Sequence, residues 1–327
     1  MNTKRILQPL LTIAAASLVF TTTAFTADEV QNHQLDGIKK VSFYISKSNV
    51  TLIGSDRTDL ELTLEKPLTG FDPDKITQTT SQQGDTLVIK IEYDKEPSSW
   101  FSWGDGVKGY KEATLLVPSS LLAEIRTSGG NVSAEAMSAS LSLKTSGGNI
   151  TAADISAPLD IKTSGGNIRL KQIKGDTNAH TSGGNISVEG LVGKVDLHTS
   201  GGNMDISGEI SALTAHTSGG HINADIKSAL IEPLELKTSG GNVNAILFAG
   251  MKAPASLSTS GGSVSISLPR DQAFQIYAKS NGGDVSLNHG GSFQGSLDKK
   301  KIEGDVNGGG PLVKMTTNGG RVNIKEI

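Results

Sequence analysis

Apolar and polar residues alternate along this chain in short bursts, and the bursts come in pairs. Leu141 and Leu143, Leu159 and Ile161, Val195 and Leu197, and Leu234 and Leu236 each stand two apart. After a short gap the spacing repeats, at Ile150 and Ala152, Ile168 and Leu170, Ile186 and Val188, and Met204 and Ile206. A period of two predicts a strand with one buried face. Between the bursts lies Thr-Ser-Gly-Gly, beginning at Thr127, Thr145, Thr163, Thr181, Thr199 and Thr217 at intervals of 18 residues. It returns at Thr238 and, 21 later, at Thr259; Ser280-Asn281-Gly282-Gly283 follows after another 21 and Thr317-Asn318-Gly319-Gly320 after 37.

Self-similarity at such a period predicts a stacked array. The glycine pair marks a bend, because glycine reaches backbone angles closed to other residues. Coils stacked ~4.8 Å apart pair each strand with its equivalents above and below, which makes the sheets parallel. Thr and Asn at fixed corner positions can then run ladders of side-chain hydrogen bonds. The expected fold is all-β, a parallel β-solenoid of about ten coils with repeats of 18–21 residues and an irregular N-terminal cap.

Residues 41–45, 50–53, 60–64 and 87–91 also read as strands. Ser46-Lys47-Ser48-Asn49-Val50 reads as a degenerate copy of the corner, which starts the array near residue 40 with an atypical coil. Atypical end coils are expected, since an exposed sheet edge must be capped. Residues 28–118 are therefore read as N-terminal strands with an aromatic capping loop, continuous with a repeat solenoid over 119–327. The loop carries Trp100, Phe101, Trp103 and Tyr110. It reads either as a lid folded over the first coils or as an exposed aromatic patch for a sugar ring, a membrane interface or a partner.

Composition narrows the setting. Lys4 and Arg5 precede an apolar stretch over 6–20, shorter than the ~20 residues a spanning helix needs, and small residues follow. Residues 1–27 read as a signal peptide cut after Ala24 or Ala27, which places the mature chain, with no transmembrane segment, in the periplasm or outside the cell. The absence of cysteine excludes disulfides, a lipid-attachment cysteine and thiolate metal sites. Losing Lys4 and Arg5 moves the formal charge from −3 to −5, which argues against a nucleic-acid partner. With 39 glycines and 4% aromatics, the core must be thin and filled by aliphatic side chains.

Candidate chemistry sits one outward position before each corner: Arg126, Lys144, Lys162, His180, His198, His216 and Lys237. Two residues earlier, also outward, are Glu124, Ser142, Asp160, Asn178, Asp196, Thr214 and Glu235. Stacking turns these into two adjacent columns. One reading is a solvated face whose exposed ion pairs contribute only ~0–1 kcal/mol each. The other is a linear cationic track for an anionic polymer such as an acidic glycan, in which replacing Lys144, Lys162 and His198 by Ala weakens binding. His180, His198 and His216 on adjacent strands could share a metal ion, but no carboxylate stands at a chelating position and the flanking lysines repel a cation. No metal or cofactor is expected. Nucleophile-elbow, zincin and phosphate-loop motifs are absent, and the serines recur at every corner where a nucleophile would be singular. The chain reads as a non-enzymatic binding or structural module of the cell envelope, engaging an envelope glycan or protein. A polysaccharide-acting β-helix enzyme, or an envelope-stress scaffold or sensor with a protein partner, is the alternative.

Three segments carry a resemblance. Ala113-Thr114-Leu115-Leu116-Val117-Pro118, followed by Glu124 to Val132, resembles the strand-Pro-turn opening of the bacterial toastrack, or putative adhesin, family of exported or membrane-linked β-strand-repeat proteins. Val264 to Pro269 with Phe274 to Val285 resembles its later coils, and Gly308-Gly309-Gly310-Pro311-Leu312 to Ile324 its closing strand pair. From the first of these segments to the last, the resemblance spans most of the mature chain. The resemblance implies a β-solenoid-like fold and a role in adhesion or envelope sensing, and it supplies no catalytic residues. The strict 18-residue intervals and the histidine column depart from the commoner form.

Overall fold

The computed structural model describes residues 28–67, 71–93 and 109–327, which form 27 strands and one 3-10 turn, Pro73–Lys75. The signal-peptide reading and Trp100, Phe101 and Trp103 lie outside the described residues. Among the described residues no helix is long and apolar enough to cross a membrane.

The expected parallel solenoid forms. Each coil contributes one strand before the Thr-Ser-Gly-Gly corner and one after it, and each pairs in register with the coils on either side. Leu141 and Leu143 sit beside Leu159 and Ile161, and Ile150 and Ala152 beside Ile168 and Leu170. Apolar positions thus stack on apolar positions, and one continuous core of Leu, Ile, Val and Ala runs from Val41 to Ile324. In two central coils the strands continue round the return bend, as Ile186–His198 and Met204–His216, with register shifts at Glu189/Leu191 and Gly193/Lys194.

The corner accounts for its own sequence. The buried Thr199 hydroxyl donates to the Gly184 carbonyl of the preceding coil at 2.8 Å and accepts the Gly202 N–H of its own corner at 3.4 Å. Thr145, Thr163, Thr181, Thr217, Thr238 and Thr259 repeat this double role. Beside it runs a second ladder, in which each corner Asn accepts the backbone N–H of the next coil through Oδ1: Asn167 from Asn185 at 2.8 Å, Asn185 from Asn203 at 2.7 Å.

The glycines do something other than what their conformational freedom predicts. None of the corner glycines has positive φ. The second of each pair is required because the coils approach closely. A Cβ on Gly184 would lie 2.0 Å from the Gly166 oxygen, whereas one on Gly183 would be 3.7 Å from its nearest neighbour.

Both ends depart from simple stacking in chain order. At the start, Lys40–Ile45 lies between Thr86–Tyr93 and Leu122–Thr127, all parallel, and Asn49–Ser55 lies between Glu112–Pro118 and Val132–Glu135. At the finish, the last corner copy does not stack beyond the one before it. Leu312–Thr317 slips between Ala255–Thr259 and Phe274–Ser280, and Val322–Glu326 between Val264–Leu268 and Val285–Asn288. Hence the intervals of 21 and 37 around Ser280: the chain leaves one slot open and returns to fill it.

Antiparallel strands close the open edges. Ile76–Gln83 covers Thr86–Tyr93, Asp59–Glu65 covers Glu112–Pro118, and Glu29–Gln34 covers Asp59–Glu65. Apart from Ile76, the half-buried positions of these outermost strands are polar, and Gln31 and Gln78 exchange amide hydrogen bonds of 3.0 and 2.6 Å between them. At the far end Lys301–Val306 and Phe293–Leu297 add antiparallel strands beyond Phe274–Ser280. There Lys300 Nζ donates to the Gly282 and Gly283 carbonyls at 2.9 and 2.6 Å. Gly283 stands where the other corners receive the next threonine, so a lysine ends the ladder.

Candidate functional site

Strand register builds the basic column. Arg126 pairs with Lys144, Lys144 with Lys162, Lys162 with His180, His180 with His198, His198 with His216 and His216 with Lys237. All seven therefore stand in one file on the face ahead of the corner.

Charge is not evenly spread along it. Arg126 is bound to Glu124, Lys144 lies 3.3 Å from Asp160, and His216 Nε2 lies 3.1 Å from Glu235. Lys162, His198 and Lys237 are exposed and have no ion pair among the described residues. Between them the His180 and His198 rings stack at 5.1 Å with 10° between planes, and His198 meets His216 edge-on at 6.1 Å. Burial pulls His180 below the ordinary imidazole value, and the charges of His198 and Lys162 push the same way. The column read from sequence as basic or imidazole is thus cationic at Lys162 and Lys237, partly neutralised at Arg126 and Lys144, and imidazole in the middle. Among the described residues no three His, Asp or Glu side chains converge as a metal site would require.

Tyr110, placed by the sequence in the aromatic loop, is only 7% exposed. Its ring tilts against Phe71 at 5.2 Å, its hydroxyl donates to Glu29 at 2.9 Å, and its N–H donates to the Tyr93 hydroxyl at 2.9 Å. Burial, then the Glu29 charge, raises the Tyr110 phenol above its usual range. Its carbonyl accepts from Ser48 Oγ at 2.6 Å, and the Ser48 carbonyl accepts from Thr127 at 2.9 Å, so Tyr110 anchors the start of the corner ladder. It is a cap residue and presents no aromatic surface.

On the other side of the corner lies a surface that the motif reading did not single out. A groove of about 510 Å³ crosses five neighbouring coils, its rims set by the corner asparagines and by Thr51, Ser133, Thr151, Arg169 and Ser187. The signal was present in the sequence as a fixed Asn after each Gly-Gly with an outward polar residue two further on. Sequence alone assigned that Asn to ladder formation and had no means of showing a concave surface beside it.

The family model for Toastrack DUF4097 matches residues 38–325. Among solved structures, a putative cell adhesion protein from Clostridium sporogenes is similar at 10% identity, with 92% of this chain and 99% of that chain covered and a TM-score of 0.24. A putative adhesin from Bacteroides fragilis is similar at 14% identity, with 93% and 98% covered and a TM-score of 0.35. No curated protein shows significant similarity to the chain.

Proposed function

The chain belongs to the Toastrack DUF4097 family, and from that premise we propose that it is an exported, non-enzymatic binding module of the cell envelope. Its ligand is an anionic polymer held along the column from Arg126 to Lys237. The observation that carries this reading is the register, which sets cations and imidazoles from seven neighbouring coils in one straight file. A rigid solenoid fixes their spacing before any ligand arrives, which lowers the ordering cost of binding a repetitive polymer. The fixed corner also leaves no singular nucleophile or base in the repeats, which fits binding better than turnover.

The test is binding of dextran sulfate by the wild type and by a Lys162→Ala, His198→Ala, Lys237→Ala variant. Among the described residues these three side chains have no ion pair to lose, so stability should hold. The variant is expected to bind several-fold more weakly. Equal binding by the folded variant overturns the reading.

A further inference from the structure

We propose that the groove behind the corner is a second, separate binding site, for a linear glycan carrying a uronate group. Three features of its lining point to that chemistry. The first is a row of preset donors. Asn131, Asn149, Asn167 and Asn185 each have Oδ1 engaged by the next coil's N–H at 2.7–2.8 Å, while Nδ2 makes no hydrogen bond among the described residues. The ladder therefore locks each carboxamide and leaves its NH2 free at the exposed side. Donors already held in place cost little conformational entropy to engage.

The second feature is a parallel row of hydroxyls. Thr51, Ser133, Thr151, Arg169 and Ser187 follow one another in register on adjacent strands. Thr51 is engaged with Glu112 at 2.7 Å at one end, and Ser133, Thr151 and Ser187 have no side-chain partner among the described residues. Two files of hydrogen-bonding groups, repeating every ~4.8 Å over five coils, extend for about 19 Å. That length and repeat match several sugar rings in a row, each presenting hydroxyls on both edges.

The third feature is a single cation. Arg169 interrupts the hydroxyl file, is exposed, and forms no ion pair among the described residues. The one carboxylate in the lining, Glu112, stands at the first-coil end, where it accepts from Thr51. Around Arg169 the neighbouring groups are amides and hydroxyls, and a guanidinium there selects a planar carboxylate, which it can hold through two parallel N–H bonds. The apolar residues of the lining, Val50, Val132, Ile150 and Ile168, are buried, and none of the lining is aromatic, so the groove lacks an exposed anchor of the kind that carries most protein–protein affinity. Its backbone groups are consumed inside the parallel sheet, so an added peptide strand finds nothing to pair with.

The test is calorimetric titration of the full chain with an alginate oligosaccharide, which is a uronate oligomer, and with a cello-oligosaccharide of equal length, which is neutral. Arg169→Gln removes the charge. A Ser133→Ala, Thr151→Val, Ser187→Ala variant removes hydroxyls with no side-chain partner among the described residues. The wild type is expected to prefer the uronate oligomer at least tenfold, and each variant to lose at least tenfold in affinity for it, with thermal midpoints unchanged. Because the column also attracts polyanions, the titrations are repeated in the Lys162→Ala, His198→Ala, Lys237→Ala background, where the preference for the uronate oligomer and its loss on Arg169→Gln are expected to persist. The proposal is overturned if the uronate oligomer does not bind at millimolar concentration, or binds no better than the neutral one. Unchanged affinity in both groove variants, or disappearance of the uronate preference in the column variant, overturns it equally.

Discussion

The two glycines of one corner should respond oppositely to the same substitution. In Gly184→Ala the new Cβ would lie 2.0 Å from the Gly166 oxygen, 2.4 Å from its carbon and 2.8 Å from the Asn167 nitrogen, all of them backbone atoms. Ordinary contact begins near 3.4 Å, so the two coils must part by more than an ångström. Four hydrogen bonds cross that gap at the corner. They are Thr181 Oγ1 to the Gly166 carbonyl at 2.8 Å, the Asn185 N–H to Asn167 Oδ1 at 2.8 Å, and the Ser182 and Gly183 N–H groups to the Ser164 carbonyl at 3.1 and 3.0 Å. Losing most of them at ~1 kcal/mol each, together with overpacking strain, costs about 3–4 kcal/mol. Gly183→Ala meets nothing closer than 3.7 Å and needs no special backbone angle. It should be neutral or stabilise by up to ~1 kcal/mol, by restricting the unfolded chain. Guanidinium unfolding followed by circular dichroism compares the two directly. A Gly184→Ala midpoint equal to that of wild type, or a Gly183→Ala protein as unstable as Gly184→Ala, would refute the close-approach account of the motif.

Two further outcomes follow from the ends of the array. Removing residues 311–327 empties the slot between Ala255–Thr259 and Phe274–Ser280, and Val285–Asn288 loses its paired strand. Hydrogen exchange should then show protection lost over 274–306 and kept over 186–247; retained protection at Phe274–Ser280 would mean that the last coil docks directly on its neighbour. His33, on the outermost strand, has a buried Nε2 with no partner, and burial lowers its pKa from 6.5. Because the folded value is depressed, its stabilising contribution is complete above 6.5 and is lost as pH falls through the lowered value. Proteolysis within 29–34 should accelerate below that pH in the wild type and less so in His33→Gln; identical pH profiles would remove His33 as the cause.

Much of this molecule was legible in the sequence because a repeat states its rule many times. The period-two bursts fix which side chains face inward, and the 18-residue interval fixes which residues become neighbours across coils. Position in the repeat alone therefore put Arg126, Lys144, Lys162, His180, His198, His216 and Lys237 in one file. Those relations are local or periodic, so the linear text contains them. Even the atypical first corner at Ser48 keeps its role in the ladder, accepting from Thr127 as later glycines accept from later threonines.

The rest depended on distances that no period encodes. Which glycine is indispensable follows from a backbone approach between coils, and the sign of φ is irrelevant to it. Tyr110 caps the core because Phe71, Tyr93 and Glu29 converge on it from separate strands. The column's net charge was set by Glu124, Asp160 and Glu235, whose reach to particular partners is a matter of rotamers. Above all, the return of Leu312–Glu326 into an inner slot could not be read from a repeat. Every coil presents nearly the same edge to the next, so the order of stacking at the ends is decided by the whole set of edges that must be closed against water.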